Sequence, residues 1–224
     1  MKKIILILLL LTLVATGAFA QVFSAGGGAL FDASFYNGIR IREGGESFYM
    51  GLESFSPGGF VFFDAEFVQA QVSLVHGWHR FVTNFTESGS VERESLGRTL
   101  AFGFSVLGKF PFGLGPDITV FPLLGVHYDL VFNAISGEVT YDDVTITNFS
   151  QFGLLAGAGT DIYLTDRLFI RAEALFHFRF PSSELRDLRR EIGSWDHDIS
   201  ARNTFGMGPR INIGIGYRLD FAWW

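Results

Sequence analysis

The feature that most constrains this chain is a two-residue alternation of apolar and small or polar side chains, repeated along most of its length. From Thr99 to Phe112, Leu100, Phe102, Phe104, Val106, Phe110 and Phe112 share one parity, while Thr99, Ala101, Gly103, Ser105 and Lys109 share the other. From Ile118, Val120, Leu124, Val126, Tyr128 and Leu130 oppose Thr119, Gly125, His127 and Asp129. Phe152, Leu154, Ala156, Ala158, Ile162 and Leu164 then oppose Gln151, Gly153, Gly157, Gly159, Asp161 and Tyr163. Leu168, Ile170, Ala172, Ala174, Phe176, Phe178 and Phe180 oppose Arg171, Glu173, His177 and Arg179. The last run sets Ile211, Ile213, Ile215, Tyr217, Leu219, Phe221 and Trp223 against Asn212, Gly214, Gly216, Arg218 and Asp220. Side chains on a strand point alternately to opposite faces, so such runs are strands with one apolar and one polar face.

The N-terminal half alternates less cleanly. Phe23, Ala25, Ala29, Phe31 and Phe35 oppose Ser24, Gly26, Gly28 and Asp32, and Val68, Ala70, Val72 and Leu74 oppose Gln69, Gln71 and Ser73. Between them the second strand admits two readings. It starts at Gly58 and reverses at Asp64-Ala65, or it starts near Phe48 and turns at Pro57-Gly58-Gly59. Either reading makes eight strands, with the start of the second left between residues 46 and 60. Asp64-Ala65, Gly113 to Asp117 and Thr165 to Arg167 read as short turns; 36–57, 78–97, 133–149 and 181–205 read as long polar loops. Short turns at one end and long loops at the other describe an antiparallel up-and-down barrel with two unlike rims.

The first twenty residues are of another kind. Lys2 and Lys3 precede an apolar stretch from Ile4 to Val14, and Ala18-Phe19-Ala20 offers small residues where a signal peptidase reads them. The expectation is an export signal, residues 1–20, cleaved after Ala20, followed by one barrel domain over 21–224. The stretch is shorter than the roughly 20 residues a spanning helix needs. The mature chain carries 15 Lys+Arg against 23 Asp+Glu, which leaves no electrostatic footprint for nucleic acid. With no Cys, disulfides, thiolate nucleophiles and zinc–thiolate sites are excluded.

The side on which the apolar parity lies separates a soluble barrel from a membrane barrel. A lipocalin-like barrel turns its apolar parity inward. Here the other parity is rich in glycine, which suits a narrow interior, and its charges balance. Asp32, Asp129, Asp161, Glu173 and Asp220 match Lys109, Arg171, Arg179, Arg210 and Arg218 in number. Solvated faces need no such cancellation, whereas buried charges must be paired. The fold expected is therefore all-β, an eight-stranded antiparallel up-and-down transmembrane β-barrel with a polar network in its lumen.

With these features the chain resembles the small eight-stranded outer-membrane β-barrels of double-membraned bacteria, the OmpA-, OmpX- and OmpW-like porin-fold proteins. The carriers are the export signal, the even strand count, the alternating turn lengths and the terminal strand. In that strand Gly216, Tyr217, Leu219, Phe221, Trp223 and Trp224 resemble the family's C-terminal assembly signal, with the register displaced by one because Trp224 follows the outward Trp223. The resemblance implies a place in the bacterial outer membrane, contact with its lipid, and recognition by the barrel-assembly machinery through the last strand.

Candidate chemistry was sought beyond the barrel. His76-Gly77-Trp78-His79 and Asp196-His197-Asp198 carry metal-type side chains, but the first lacks a third ligand nearby and loop carboxylates are ordinarily solvated. His127 has Asp129 on its own face, and His177 lies near Glu173 and Arg179, yet neither has a nucleophile at the spacing of lipid-deacylating barrels. No catalytic residue, metal or cofactor is therefore assigned. Ser183 to Ile192 has the caps of a short helix. Gly26-Gly27-Gly28 lacks the Lys-Ser/Thr of a phosphate loop and reads as small residues facing a narrow lumen.

The functional expectation is a non-enzymatic barrel whose lumen is plugged by its own side chains, with a structural or surface-contact role through loops 78–97, 133–149 and 181–205. An OmpW-like sideways passage of small hydrophobic molecules, with Pro111 and Pro122 breaking a ladder, is the alternative; a lipid-modifying enzyme ranks below it. Arg171, Glu173, Arg218 and Asp220 are expected to meet across the last two strands.

Overall fold

The computed structural model describes residues 22–43, 46–85, 91–136, 150–180 and 206–220. Eight long strands carry the architecture: β1 (Val22–Glu43), β2 (Glu46–Ala65), β3 (Val68–Phe85), β4 (Val91–Lys109), β5 (Ile118–Ser136), β6 (Gln151–Tyr163), β7 (Leu168–Arg179) and β8 (Gly206–Asp220). A two-residue strand, Phe112–Gly113, pairs with the start of β5. Each strand pairs antiparallel with its sequence neighbours, and β1 pairs with β8, so the sheet closes into an up-and-down barrel. Closure leaves no edge strand with open hydrogen-bonding groups.

The alternation sorts the side chains as the pattern demands. On β8, Ile211, Ile213, Ile215 and Tyr217 are exposed, and Arg210, Asn212, Gly214 and Gly216 are buried. The same split holds on β7, where Phe176 and Phe178 face out and Glu173, His177 and Arg179 face in. The barrel therefore presents its large apolar residues outward, the inverse of a soluble barrel. Aromatic pairs such as Phe31–Phe55, with ring centroids 4.4 Å apart, and Phe102–Phe132, 4.9 Å apart, lie toward the end away from the short turns.

Two of the expected loops are largely strand. The described residues of 36–57 belong to β1 and β2, whose ladder runs from Phe23↔Ala65 to Glu43↔Glu46, and those of 78–97 belong to β3 and β4. β2 begins at Glu46, and neither Pro57-Gly58-Gly59 nor Asp64-Ala65 is its turn. Pro57 sits within the strand opposite Phe31, because one missing N–H removes a single ladder bond while the residues on either side keep theirs. The reversal falls at Glu66-Phe67, with Glu66 at a φ of 52°. The other turns, Leu114–Asp117 and Leu164–Arg167, lie where short turns were expected. Bulges at Tyr36/Ile39, His79/Arg80 and Leu100/Ala101 let the long strands stay paired while twisting. Residues 1–21, 137–149, 181–205 and 221–224 lie outside the described residues. With them lie the export signal, the Asp196–Asp198 cluster, the 183–192 helix and Phe221, Trp223 and Trp224 of the assembly signal.

Glycine permits a close approach at the seam where β1 meets β8. Gly26 faces Gly216 and Gly28 faces Gly214 across the ladder. A Cβ on Gly28 would stand 2.0 Å from the Ile213 carbonyl oxygen, and one on Gly216 would stand 2.3 Å from the Phe169 ring. The glycine floor gives the rings of Phe60, Phe62 and Phe169 their space inside the barrel. Gly28→Ala is therefore expected to lower the urea midpoint of the folded barrel clearly, since the obstacle is backbone; a midpoint within error of the parent would show that the seam yields.

Candidate functional site

Among the described residues the lumen gathers the buried charged and polar side chains. On the turn side, β2 supplies Asp64, β4 supplies Lys109, β6 supplies Asp161 and β7 supplies Arg171. Arg171 donates through Nε to Asp161 Oδ1 at 2.7 Å and through Nη2 to both Asp161 Oδ2 and Asp64 Oδ2 at 2.6 Å. Lys109 Nζ donates to Asp64 Oδ2 at 2.8 Å and to Asp161 Oδ2 at 3.4 Å. Two cations thus meet two carboxylates, all buried. The Arg171 guanidinium also lies 4.1 Å from the Phe62 ring centroid and 5.2 Å from those of Phe121 and Phe169. A weakly hydrated planar cation suits such a site better than an ammonium.

Above this layer Glu173 is held by amides. Gln69 Nε2 donates to its Oε1 at 2.6 Å, and Gln71 Nε2 and Asn212 Nδ2 donate to its Oε2 at 2.8 and 2.7 Å. Around it the interior is apolar: Leu107, Phe121, Leu123, Leu155 and Leu175 form one buried cluster, and Leu30, Phe60, Phe62, Val75, Ala101, Val131 and Phe169 another. The lumen is thus a mixed core rather than the polar interior expected.

The second charged layer lies toward the long-strand rim. Arg179 Nη2 donates to both Asp32 oxygens at 3.2 Å, and its Nε lies 3.0 Å from Asp129 Oδ2. His127 Nε2 sits 2.7 Å from Asp129 Oδ1, and its Nδ1 sits 2.9 Å from Ser105 Oγ. Arg210 reaches Ser73 Oγ at 3.1 Å and the His127 ring at 3.3 Å, while His177 Nδ1 lies 3.2 Å from Asp32. Ser34, which accepts from Arg179 Nη1 at 2.8 Å, is bonded to Ser54. Beyond this layer a cavity of about 40 Å³, lined by Ser54, Ser56, His79, Thr99, Asp129, Gln151 and Arg179 among others, leaves room for a few waters.

Of the ten residues expected in the lumen network, Asp32, Lys109, Asp129, Asp161, Arg171, Glu173, Arg179 and Arg210 are buried inside. Arg218 is half-buried at the turn-side rim, where its backbone N–H donates to the Arg167 carbonyl at 2.8 Å; the side chain of Asp220 lies outside the described residues. The pairing of β7 with β8 places Arg218 and Asp220 beyond the rungs of Arg171 and Glu173. The ladder sets Arg171 opposite Gly214 and Glu173 opposite Asn212, which leaves Arg218 four residues down the strand from Arg171's partner. Register decides this, and alternation alone does not specify it.

Asp64 is the main member that sequence reasoning missed. An aspartate beside an alanine resembles a turn, and in 60–63 both parities are phenylalanine or valine, so no alternation marks which side faces in. The inward partners Gln69, Gln71, Ser73, Ser105, His127, His177 and Asn212 did share the polar parity, but pattern could not say which of them touch. The chain Ser105–His127–Asp129 is likewise assembled across strands, through the pairing Ser105↔His127. All three side chains are buried, and the cavity's lining includes Asp129 but neither Ser105 nor His127. Among the described residues no cluster of metal-binding side chains is present. His79 instead bonds Thr99 Oγ1 at 2.8 Å, and the His76 ring packs on Trp78 with centroids 4.7 Å apart.

No protein-family model matches this chain, and no curated protein matches its sequence. Solved structures do. The outer membrane protein OprG from Pseudomonas aeruginosa is 13% identical with a TM-score of 0.53, covering 90% of this chain and 97% of its own. The N-terminal β-barrel domain of OprF from the same organism is 12% identical with a TM-score of 0.36, covering 87% and 99%. Ail, the attachment invasion locus protein of Yersinia pestis, is 15% identical with a TM-score of 0.34, covering 86% and 99%. The likeness to OprG is one of fold: a closed all-β barrel of the kind found among small outer-membrane proteins.

Proposed function

We propose that this chain is an integral protein of the bacterial outer membrane, a sealed barrel without enzymatic activity whose role is structural or exercised by contact at its long-strand rim. The observation that carries the reading is the lumen. Two ion-paired layers cross it, apolar side chains fill the space between, and the cavity found among the described residues, about 40 Å³, is large enough for water and too small for a solute. An eight-stranded barrel is just wide enough for its own side chains. The outward wall of Phe, Leu, Ile and Val supports insertion in lipid. The buried Ser105–His127–Asp129 chain lies inside a packed lumen, and this supports a packing role for it. Pro122 pairs with Ala158 in an unbroken β5–β6 ladder, so the sideways passage finds no gap there to support it.

In this reading the short turns face the periplasm, the long-strand rim faces outward, and the last strand is the one the assembly machinery engages. Planar-bilayer recording of the refolded chain tests the seal. The expected result is an absence of stable conductance steps; an ohmic open pore in the wild type would overturn the plugged lumen. Protease added to intact cells is expected to cut at Arg189 or Arg190 and to spare Arg167; cleavage at Arg167 alone would reverse the topology.

A further inference from the structure

The outer wall of the barrel changes character abruptly on three neighbouring strands. On β3 the outward residues from Val68 to Trp78 are apolar apart from His76, and the next one is Arg80. On β4 the outward residues from Phe110 back to Leu100 end at Arg98, and on β2 those from Phe63 back to Phe55 end at Glu53. Eleven residues at about 3.3 Å each, tilted at about 45°, cover roughly 25 Å of height, the depth of the apolar band on such barrels. The charged positions therefore begin where a membrane's hydrocarbon ends.

At that level the ladder builds a cationic cluster. Trp78 faces Arg98, Arg80 faces Ser95 and Val82 faces Arg93, which makes Arg93 and Arg98 the diagonal neighbours of Arg80. All three arginines are exposed. Among the described side chains one carboxylate answers them: Glu53, opposite Arg80 on β2 and 3.6 Å from Arg93. Like charges at neighbouring cross-strand positions repel unless an anion sits among them. The turn-side rim has the opposite balance, with Glu66, Asp117 and Asp166 beside Arg167 and the half-buried Arg218.

We propose that Arg80, Arg93 and Arg98 form a docking surface for the phosphate groups of an anionic outer-leaflet lipid, seated on the aromatic belt at Phe55 and Trp78. Guanidinium groups present forked donors that match phosphate oxygens, and the apolar belt beneath accepts the start of the acyl chains. The long strands β2 to β4 lift the cluster to headgroup height on one side of the barrel. The proposal rests on the outer-membrane reading given above.

The test titrates lipid A into the folded mature chain in neutral-detergent micelles, beside dephosphorylated lipid A and inorganic phosphate. Each arginine near an anionic headgroup contributes about fivefold in affinity, so Arg80→Gln with Arg98→Gln is expected to weaken lipid A binding roughly 30-fold. Glu53→Gln, which removes the competing carboxylate, is expected to tighten it about fivefold. Heat-modifiable migration on gels verifies that each variant is folded, and the tightening by Glu53→Gln tests the idea even if the double variant fails to fold. Equal affinity for dephosphorylated lipid A, or unchanged affinity in both variants, overturns the proposal. Saturation by inorganic phosphate alone overturns the lipid as the source. Recovery of the chain outside the outer-membrane fraction of cells would instead overturn the reading beneath it.

Discussion

Replacing Arg171 with Met is expected to lower the stability of the folded barrel by about 3–5 kcal/mol, read from urea unfolding in detergent micelles. Methionine fills much of the same volume, so the loss isolates the charge. Asp64 and Asp161 then keep Lys109 between them, and both carboxylates remain buried. Arg171→Lys is expected to fall between parent and Met variant, because an ammonium neither bridges both carboxylates in fork geometry nor lies flat among Phe62, Phe121 and Phe169. Arg171→Met combined with Asp161→Asn recovers part of the loss by removing an uncompensated charge. Glu173→Gln is milder, about 1.5–3 kcal/mol, because three amide donors rather than a close ion pair hold that carboxylate. If Arg171→Met stays within about 1 kcal/mol of the parent, the layer is hydrated and the sealed-lumen account fails.

The second large effect is on the other face. Ala158 is exposed on the outer wall, paired with Pro122 on one side and Ala174 on the other. Ala158→Arg places a guanidinium at mid-depth in hydrocarbon and is expected to cost about 2–4 kcal/mol in vesicles. Ala158→Leu, which adds bulk without charge, is the control and stays near the parent. The neighbouring Gly157 does not serve as a lumen-side control, although its parity suggests one. A Cβ there would stand 2.1 Å from the Ala174 carbonyl oxygen and 2.7 Å from the Leu175 Cα, so even serine meets backbone. Equal tolerance of Arg and Leu at 158 would mean that this face meets water.

Both effects trace back to one property of the chain that pattern conveys well. Period two states which residues share a face, and a face of phenylalanine and isoleucine opposite one of glycine and balanced charge already distinguishes a lipid-facing barrel from a soluble one. Eight of the charges chosen on that basis are buried in the lumen for this reason. Where both parities are apolar, as at Phe60 to Phe63, the signal vanishes, and Asp64 was read as a turn. Pattern also understated strand length. Pro57-Gly58-Gly59 resembles a turn, yet a closed ladder tolerates an absent N–H there, and a bulge at Tyr36/Ile39, by keeping its other bonds.

By itself, then, the sequence determined the all-β class, the strand count, the inside and outside of most strands and the positions of two of the three short turns among the described residues, because each follows from side-chain order along one strand. Which charges touch was decided only by the tertiary structure. Arg171 meets Asp64, a residue 107 positions away across the lumen, while on the adjacent strand its ladder partner is Gly214. The stagger of eight strands around a closed cylinder sets those distances, and a shift of two residues would preserve every face while exchanging every partner.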